Sequence, residues 1–180
     1  EKEWEEYPVL HFSMAGGKHM GKEQLVRYLL FILKENEKRF GVECDSPDPN
    51  VRLLNLINSV NDKTGKQVVV LIDEYDAPLL DVAHDEDSLV ILRDTMRNFY
   101  SPLKDCEPLL RFVFLTGITK FSQLSIFSEL NNIKNVSMDE PYAGICGITK
   151  EELLTQMSTD IDELAEHLDL SREETIQELQ

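Results

Sequence analysis

The sequence predicts an α/β domain with a mostly parallel sheet, because three apolar runs alternate with segments of helical character. The runs cover residues 7–14, 68–72 and 112–115 and are rich in β-branched or aromatic side chains. Residues 68–72 are five consecutive apolar residues, three of them valine, a pattern typical of a strand covered on both faces. This alternation predicts right-handed crossovers, with ligand chemistry at the carboxyl ends of the strands.

The segments between the strands have helical features. Apolar residues recur at helical spacing over residues 24–40, and Gly41 supplies a stop. Asp48 followed by Pro49 resembles an N-cap and first-turn proline of a second helix. Ser88 is predicted to cap a third helix that continues to about residue 104.

The carboxyl-terminal part of the chain has a different pattern. Two pairs have the spacing of a capping box: Thr149 with Glu152, and Ser171 with Glu174. A short strand is predicted over residues 135–138. We therefore expect an α/β core over residues 1–148 and a helical segment over residues 149–180.

Composition restricts the partners and the compartment. The chain has 180 residues, with 34 acidic and 18 basic side chains and a formal net charge of −16. Nonspecific binding to nucleic acid or anionic membrane depends on a basic surface, so we expect neither. The three cysteines, Cys44, Cys106 and Cys146, lack metal-ligand spacing and favour a reducing, cytoplasmic location. No apolar run reaches the length of a membrane span, about 18 residues.

The most informative string is residues 68–74, an apolar strand that ends in two successive carboxylates. This is the form of a Walker B motif. Asp73 is predicted to hold Mg²⁺ against the phosphates of ATP, and Glu74 to orient or deprotonate the attacking water. The alternative is that the acids serve only solubility or helix capping, as they often do at strand ends.

The next predicted strand, residues 112–115, is followed by two hydroxyl side chains and a lysine: Thr116, Thr119 and Lys120. In P-loop ATPases the strand beside Walker B places a polar sensor near the γ-phosphate. Thr116 is the predicted sensor, and Thr119 and Lys120 are further candidates for contacting the nucleotide. The alternative is that these residues only close a strand and begin a turn. Three arginines are candidate arginine fingers, and the sequence does not choose among them: Arg93, Arg97 and Arg111.

Residues 16–23 nearly match a phosphate-binding loop, because they follow a strand, precede a helix and have Gly-x4-Gly-Lys spacing. Glu23 stands where a serine or threonine hydroxyl should bind magnesium. A carboxylate at that position would repel a triphosphate. We therefore interpret the segment as a flexible turn that leads into a helix.

Three longer strings together resemble the predicted AAA-ATPase-like family of bacteria and archaea. They are QVVVLIDEYDAPLLD (residues 67–81), LRFVFLTGITKFSQLSIFSELNN (residues 110–132) and YAGICGITKEEL (residues 142–153). The resemblance implies a three-layer fold of P-loop NTPase type, with Asp73 as the magnesium-site acid and Glu74 as the catalytic glutamate. It also places Asp76 and Pro78 in the same signature.

The resemblance further implies an arginine-rich P-loop before residue 1 and, in many relatives, a nuclease-like domain after the ATPase module. These residues alone are therefore predicted to bind triphosphate weakly and to be inactive. The predicted function is to bind and hydrolyse Mg-ATP as part of a longer protein and to couple nucleotide state to a conformational change. Oligomeric assembly is left open.

Two other functions compete with the ATPase. A noncatalytic scaffold or protein-interaction module would explain why the phosphate-binding loop is missing. A metal-dependent nuclease using the acids of residues 73–76 is disfavoured, because no acid-x-lysine element follows on a strand.

Overall fold

The computed structural model describes residues 5–118, 133–142, 144–145 and 148–179. The chain divides into two compact units, Glu1–Lys134 and Asn135–Gln180. The predicted segmentation into 1–148 and 149–180 rests on sequence pattern and stays a prediction. No helix in the described ranges has both the length and the apolar character needed to cross a bilayer.

The first unit contains a parallel sheet, as the sequence predicts. Its strands are β1 (Val9–Ser13), β2 (Val68–Asp73) and β3 (Leu110–Leu115). They lie in the order β1-β2-β3, so the strand with the two terminal carboxylates is central. Ser13 pairs with Asp73, and Ile72 pairs with Leu115. The carboxyl ends of all three strands therefore meet at one edge.

Helices of the first unit follow the predicted order. They are α1 (Lys22–Phe40), α2 (Pro49–Thr64), α3 (Ala77–Leu80), α4 (Glu86–Tyr100) and α5 (Pro102–Asp105), followed by a 3₁₀ turn at Glu107–Leu109. Gly41 and Gly65 end α1 and α2 with φ angles of 62° and 64°. A residue with a Cβ atom would be strained in this left-handed conformation, so glycine is favoured at both stops.

The predicted cap and end of the third helix are wrong. The N-cap of α4 is Asp85, whose carboxylate accepts hydrogen bonds from the Ser88 backbone N–H at 3.4 Å and the Ser88 hydroxyl at 2.6 Å. These bonds lower the pKa of Asp85. The helix ends at Tyr100 because Pro102 has no N–H for a helical hydrogen bond and instead opens the separate short helix α5. Ser88 therefore lies in the first turn of α4.

One face of the sheet forms the hydrophobic core. Leu10 and Phe12 of β1 and Val70 and Ile72 of β2 are at most 2% exposed. They belong to one cluster with apolar side chains of α1, α2 and α4. Burial of apolar surface contributes a free energy of roughly 25 cal/mol per Å² and is the main source of stability for this layer.

The opposite face is less covered. Val69 and Leu71 of β2 and Phe114 of β3 are half-buried, and Phe112 is 53% exposed. The aromatic rings of Phe112 and Phe114 stack at 6.0 Å between centroids. The described structure therefore shows an α/β fold with a small parallel sheet, and the three-layer P-loop arrangement stays a prediction.

The second unit is helical. Its elements are a 3₁₀ turn (Glu140–Tyr142), α6 (Lys150–Gln156), α7 (Ser158–Leu168) and α8 (Arg172–Glu178). Both predicted capping boxes are confirmed, with Thr149 and Glu152 at the start of α6 and Ser171 and Glu174 at the start of α8.

The strand predicted over residues 135–138 is wrong. The backbone there is irregular and ends in a turn, closed by a hydrogen bond from the Asp139 N–H to the Val136 carbonyl at 3.1 Å. The Asn135 side chain accepts a hydrogen bond from the Ser137 N–H at 3.0 Å. This local hydrogen bond competes with strand pairing. A short run with a weak β pattern therefore forms a turn and not a strand.

Candidate functional site

The candidate site lies where β2 and β3 end. Asp73 is the last residue of β2, and Thr116 directly follows β3. The Thr116 N–H donates to the Ile72 carbonyl, and the Tyr75 N–H donates to the Thr116 carbonyl, both at 2.9 Å. The ladder between the two chain segments therefore continues past the strands and holds their ends side by side.

The side chains at these ends are connected. The Thr116 hydroxyl donates to Oδ1 of Asp73, and the Glu74 N–H approaches the same hydroxyl oxygen at 3.4 Å. Asp73 and Glu74 are exposed, and Thr116 is half-buried. Three of the five site residues predicted from the sequence are thus brought together: two exposed acidic residues, and a hydroxyl that bonds to the carboxylate of Asp73 and lies next to the backbone of Glu74.

The backbone of Glu74 has an unusual conformation. Its φ angle is 52°, and among the described residues the other non-glycine residue with positive φ is Asp169. A left-handed conformation costs a residue with a Cβ atom roughly 1–2 kcal/mol. Such strained residues cluster at functional sites, where the surrounding structure holds them in place. At Glu74 the turn leaves two carboxylates at the surface and directs the next two residues inward.

Behind this turn the chain is tightly packed. Tyr75, Asp76 and Tyr100 are at most 5% exposed, and the Tyr100 hydroxyl donates to the Tyr75 carbonyl at 3.4 Å. A Cβ atom on Gly117 would lie 2.6 Å from Oδ1 of Asp76 and 2.6 Å from Cε1 of Tyr75. Burial, together with the nearby Asp76 carboxylate, raises the pKa of Tyr75 to about 12. The same two causes, burial first, raise the pKa of Tyr100.

The loop at residues 16–23, which resembles a P-loop, is held in place by hydrogen bonds from its backbone to side chains. The Gly16 N–H donates to the Tyr28 hydroxyl at 3.1 Å, and that hydroxyl donates to the Ser13 carbonyl at 2.8 Å. The His19 N–H donates to the Asp81 carboxylate at 2.8 Å. The Met20 N–H donates to Oε1 of Gln24 at 2.9 Å. A phosphate cradle needs free backbone N–H groups pointing at the ligand, and these three in the loop are already bonded to side chains.

His19 itself is buried, which the sequence did not indicate. It is 2% exposed, its ring lies 4.9 Å from that of Tyr28, and its Nε2 atom has no hydrogen-bond partner in the described structure. Burial lowers the pKa of His19, and the Asp81 carboxylate opposes this effect. The imidazole is therefore neutral near pH 7, and it packs in the interior against the ring of Tyr28.

The remaining candidates have different positions. Thr119 and Lys120 lie outside the described residues. Arg111 is the second residue of β3. It lies about 16 Å along the strand from Thr116, at roughly 3.3 Å per residue, and its guanidinium lies 5.5 Å from the centroid of the Tyr7 ring. It therefore lies toward the opposite end of the sheet from the candidate site. Arg97 of α4 contacts Asp94 at 3.5 Å.

Residues behind the site were partly missed by the sequence reasoning. Asp76 was recognised only as a member of a signature, and Tyr100 and Gly117 were not singled out. The available signal was a third acid directly after a tyrosine, within a segment that turns back into apolar residues. Its burial depends on contacts with α4 and with the end of β3, which are distant in sequence.

The fold and site define a parallel α/β protein with paired carboxylates and a hydroxyl at the carboxyl edge of its sheet. Comparison with protein families gives a match to the model described as Predicted AAA-ATPase over residues 1–127, more than half of the chain. The chain therefore belongs to the predicted AAA-ATPase-like family. Membership indicates a nucleotide-binding module.

A curated relative supports this assignment. The "Uncharacterized protein in vnfD 5'region" of Azotobacter chroococcum mcd 1 is 37% identical over 147 residues. The match covers 82% of this chain but 28% of the relative, so the chain spans a little over a quarter of that protein's length. The comparison with solved structures gave no match.

Proposed function

We propose that this chain forms the magnesium-site and water-activating part of an ATPase module, which couples nucleotide state to a conformational change in a longer protein. The observation that carries the proposal is the hydroxyl of Thr116, which is bonded to Asp73 and lies next to the Glu74 backbone at the carboxyl end of β2. Family membership supports it. Ligand chemistry in parallel α/β sheets is generally found at this edge.

The donor set fits the cation that an ATPase requires. Mg²⁺ prefers oxygen ligands and usually keeps several waters, so one carboxylate with a neighbouring hydroxyl suits it. When bound with ATP, Mg²⁺ would neutralise charge on the phosphates. Asp73 is the proposed ligand, and Thr116, which donates a hydrogen bond to that carboxylate, is the proposed sensor of the γ-phosphate. Thr119 and Lys120 are proposed as further nucleotide contacts.

Glu74 is the proposed general base. Its carboxylate would accept a proton from water as the water oxygen bonds to the γ-phosphorus and the bond to the β,γ-bridging oxygen breaks, leaving ADP and phosphate. The carboxylate is exposed, as an incoming water and a nucleotide require. Its left-handed backbone separates it from the buried residues that follow.

The proposal requires a phosphate-binding loop elsewhere in the full-length protein, because amides of the loop at residues 16–23 are bonded to Tyr28 and Asp81. A nuclease-like partner domain and a cytoplasmic location remain predictions, and the sequence leaves oligomeric assembly open. Activity assays therefore belong on the full-length protein.

The test is Mg-ATP turnover by the full-length protein with Glu74→Gln. Removing a general base typically costs about 10²- to 10⁴-fold in rate, so we expect kcat to fall by at least about 100-fold with nucleotide binding retained. Glu86→Gln, which changes an exposed acid in the first turn of α4, is the matched control and should leave kcat unchanged. Equal turnover by wild type and Glu74→Gln would remove Glu74 from the mechanism.

A noncatalytic scaffold is the second candidate, and the occupied amides of Gly16 and His19 favour it. Calorimetry with Mg-ATP separates the two functions. Binding by the full-length protein but not by these 180 residues supports the ATPase, whereas no binding by either supports the scaffold.

A further inference from the structure

A buried carboxylate lies directly behind the candidate site. Asp76 is 1% exposed, although it is only two residues from the exposed Glu74. Burying a charged group is unfavourable unless polar partners compensate, so its position inside the fold needs a reason.

Helix capping does not supply that reason. Asp76 occupies the N-cap position of α3, but its side chain makes no capping hydrogen bond. The Leu79 and Leu80 N–H groups donate instead to the backbone carbonyl of Asp76, at 2.9 and 3.2 Å. Capping of α3 therefore does not explain why this carboxylate is buried.

The carboxylate packs against the chain segment that carries Thr116. Oδ1 of Asp76 would lie 2.6 Å from a Cβ atom on Gly117, so it is in close contact with the backbone one residue beyond Thr116. It is also near the tyrosines of the cluster, because its charge contributes to raising the pKa of both Tyr75 and Tyr100. Asp76 thus contacts the end of β3 while its own backbone continues the turn after β2.

The turn between these contacts carries the exposed acids. Its geometry depends on the Tyr75 N–H, which donates to the Thr116 carbonyl at 2.9 Å, and on the Ala77 N–H, which donates to the Glu74 carbonyl at 2.9 Å. Glu74 is held at a positive φ between these two bonds. A strained residue keeps such a conformation only when its surroundings hold it.

We propose that Asp76 is a positioning residue, whose buried carboxylate packs against Gly117 and holds the turn that presents Glu74 beside Thr116. It does not touch the nucleotide. This inference rests on the proposed ATPase function for its effect on turnover, but its structural part can be measured without nucleotide.

The first experiment is a double-mutant cycle on the full-length protein with Asp76→Asn and Glu74→Gln. Asparagine keeps nearly the same size, so folding should be kept, but it removes the negative charge and replaces one acceptor oxygen with an NH2 donor, so the variant tests the carboxylate itself. Circular dichroism and the melting temperature check that the fold is kept. Because small displacements of a catalytic group can cost up to about 100-fold, we expect Asp76→Asn to lower kcat by about 10-fold or more, with KM within about 2-fold. Asp62→Asn, which changes an exposed acid near the end of α2, is the control and should have no effect.

The cycle separates positioning from independent effects. If Asp76 acts through Glu74, adding Asp76→Asn to Glu74→Gln should change kcat by less than about 2-fold. A further loss as large as in the wild-type background would overturn the inference. Unchanged turnover by Glu74→Gln alone would instead overturn the proposed function.

The second experiment measures amide hydrogen exchange without nucleotide. In Asp76→Asn the Tyr75 amide should exchange about 10-fold faster than in wild type, because the turn opens locally, while the amides of Val70 and Leu71 in β2 keep their protection. Unchanged exchange at Tyr75 would overturn the inference even if the ATPase proposal stands. Uniform acceleration through β2 would also overturn it, since it would indicate a general loss of stability.

Discussion

At the scale of single residues, Gly117 is where the packing behind the site is tightest. A Cβ atom there would approach the Asp76 carboxylate and the Tyr75 ring to 2.6 Å, a distance that ordinary Cβ contacts do not reach. Both neighbours are buried, so neither can move into solvent to make room. The absence of a side chain at this position therefore allows the end of β3 to lie against the turn after β2.

This contact predicts the effect of Gly117→Ala. Although Gly117 itself is exposed, its Cβ would be forced against two buried neighbours. Overpacking typically costs about 1–3 kcal/mol, and we expect a loss of that size in the free energy of unfolding. Urea denaturation followed by circular dichroism measures it. Gly21→Ala is the control, because nothing lies within 4 Å of a Cβ there and only the N-cap preference of α1 changes, at about 0.5 kcal/mol. Equal midpoints for Gly117→Ala and wild type would contradict the steric reasoning.

At the scale of secondary-structure elements, one ion pair joins the first two helices. Arg52 of α2 donates from Nε to Oε1 of Glu37 at 2.9 Å and from Nη2 to Oε2, so the pair is bidentate. The side chains of Arg52 and Glu37 are 13% and 5% exposed. The hydrogen bond to Glu37 raises the pKa of Arg52. This pair links the last turn of α1 to the first turn of α2.

Breaking the pair from one side should be costly. Arg52→Met would leave the Glu37 carboxylate buried without its partner, and removing one member of a buried pair typically costs about 3–5 kcal/mol. Replacing both residues with methionine should recover most of that loss, because apolar replacement of a whole buried pair is often neutral. Chemical denaturation of the single and double variants tests this. A double variant less stable than Arg52→Met would contradict the explanation.

The capping boxes support the helices of the second unit through charge as well as hydrogen bonding. In α8 the Ser171 hydroxyl and backbone N–H both bond to Glu174, at 2.6 and 2.8 Å. These bonds lower the pKa of Glu174, with the side-chain bond contributing most. A depressed pKa means that the stabilisation is present above the unfolded-state pKa, about 4.3 for glutamate, and is lost as pH falls through the folded-state pKa.

Ser171→Ala should therefore raise the pKa of Glu174 toward its ordinary value. An NMR pH titration of the glutamate side chains measures the shift. Glu152 is an internal control, because its own lowered pKa depends on Thr149 and should not change. A Glu174 pKa that is the same in both proteins would show that the box does not form in solution.

At the scale of the whole molecule, charge is the dominant property. A net charge of −16 on 180 residues creates a negative potential around the chain. DNA carries dense negative charge, and nonspecific affinity comes from cations that neutralise its phosphates. The long-range interaction between this chain and a duplex is therefore repulsive.

We expect these 180 residues not to bind a labelled DNA duplex at physiological salt. Nonspecific DNA-binding proteins reach dissociation constants of about 10⁻⁴ to 10⁻⁶ M there, so fluorescence anisotropy up to roughly 100 μM gives a clear measurement. A basic protein of similar size serves as the positive control. Binding that weakens steeply with added salt would reveal a local basic surface and contradict the expectation.

Local sequence signals predicted much of the fold. The valine-rich run of β2, the glycine stop of α1 at Gly41 and the box at Ser171 each act through neighbouring residues, and the structure contains all three. Predictions failed where two local signals competed. Asp85 and Ser88 are both good N-cap residues, and the earlier one caps α4 by accepting from the later one.

Part of the candidate site was predictable because it, too, depends on local sequence signals. Asp73 and Glu74 follow an apolar strand directly, so their place at its end could be read from local pattern. The hydrogen bond from Thr116 to Asp73 joins residues that are far apart in sequence, and it forms because β2 and β3 are neighbours in the sheet. The burial of Asp76 depends on its contacts with residues of α4 and with the end of β3, and the local pattern around it is only a weak signal of that burial.

The sequence by itself determined the strand that ends in two acids, the glycine stops of α1 and α2, the two capping boxes and the negative charge, because each depends on residue type and near neighbours alone. Only the tertiary structure decided that Thr116 reaches Asp73, that the amides of Gly16 and His19 are occupied, and that Asp76 packs against Gly117. These contacts join segments that parallel strand pairing and helix packing bring together, and the free energy that holds them comes from burial across the whole unit.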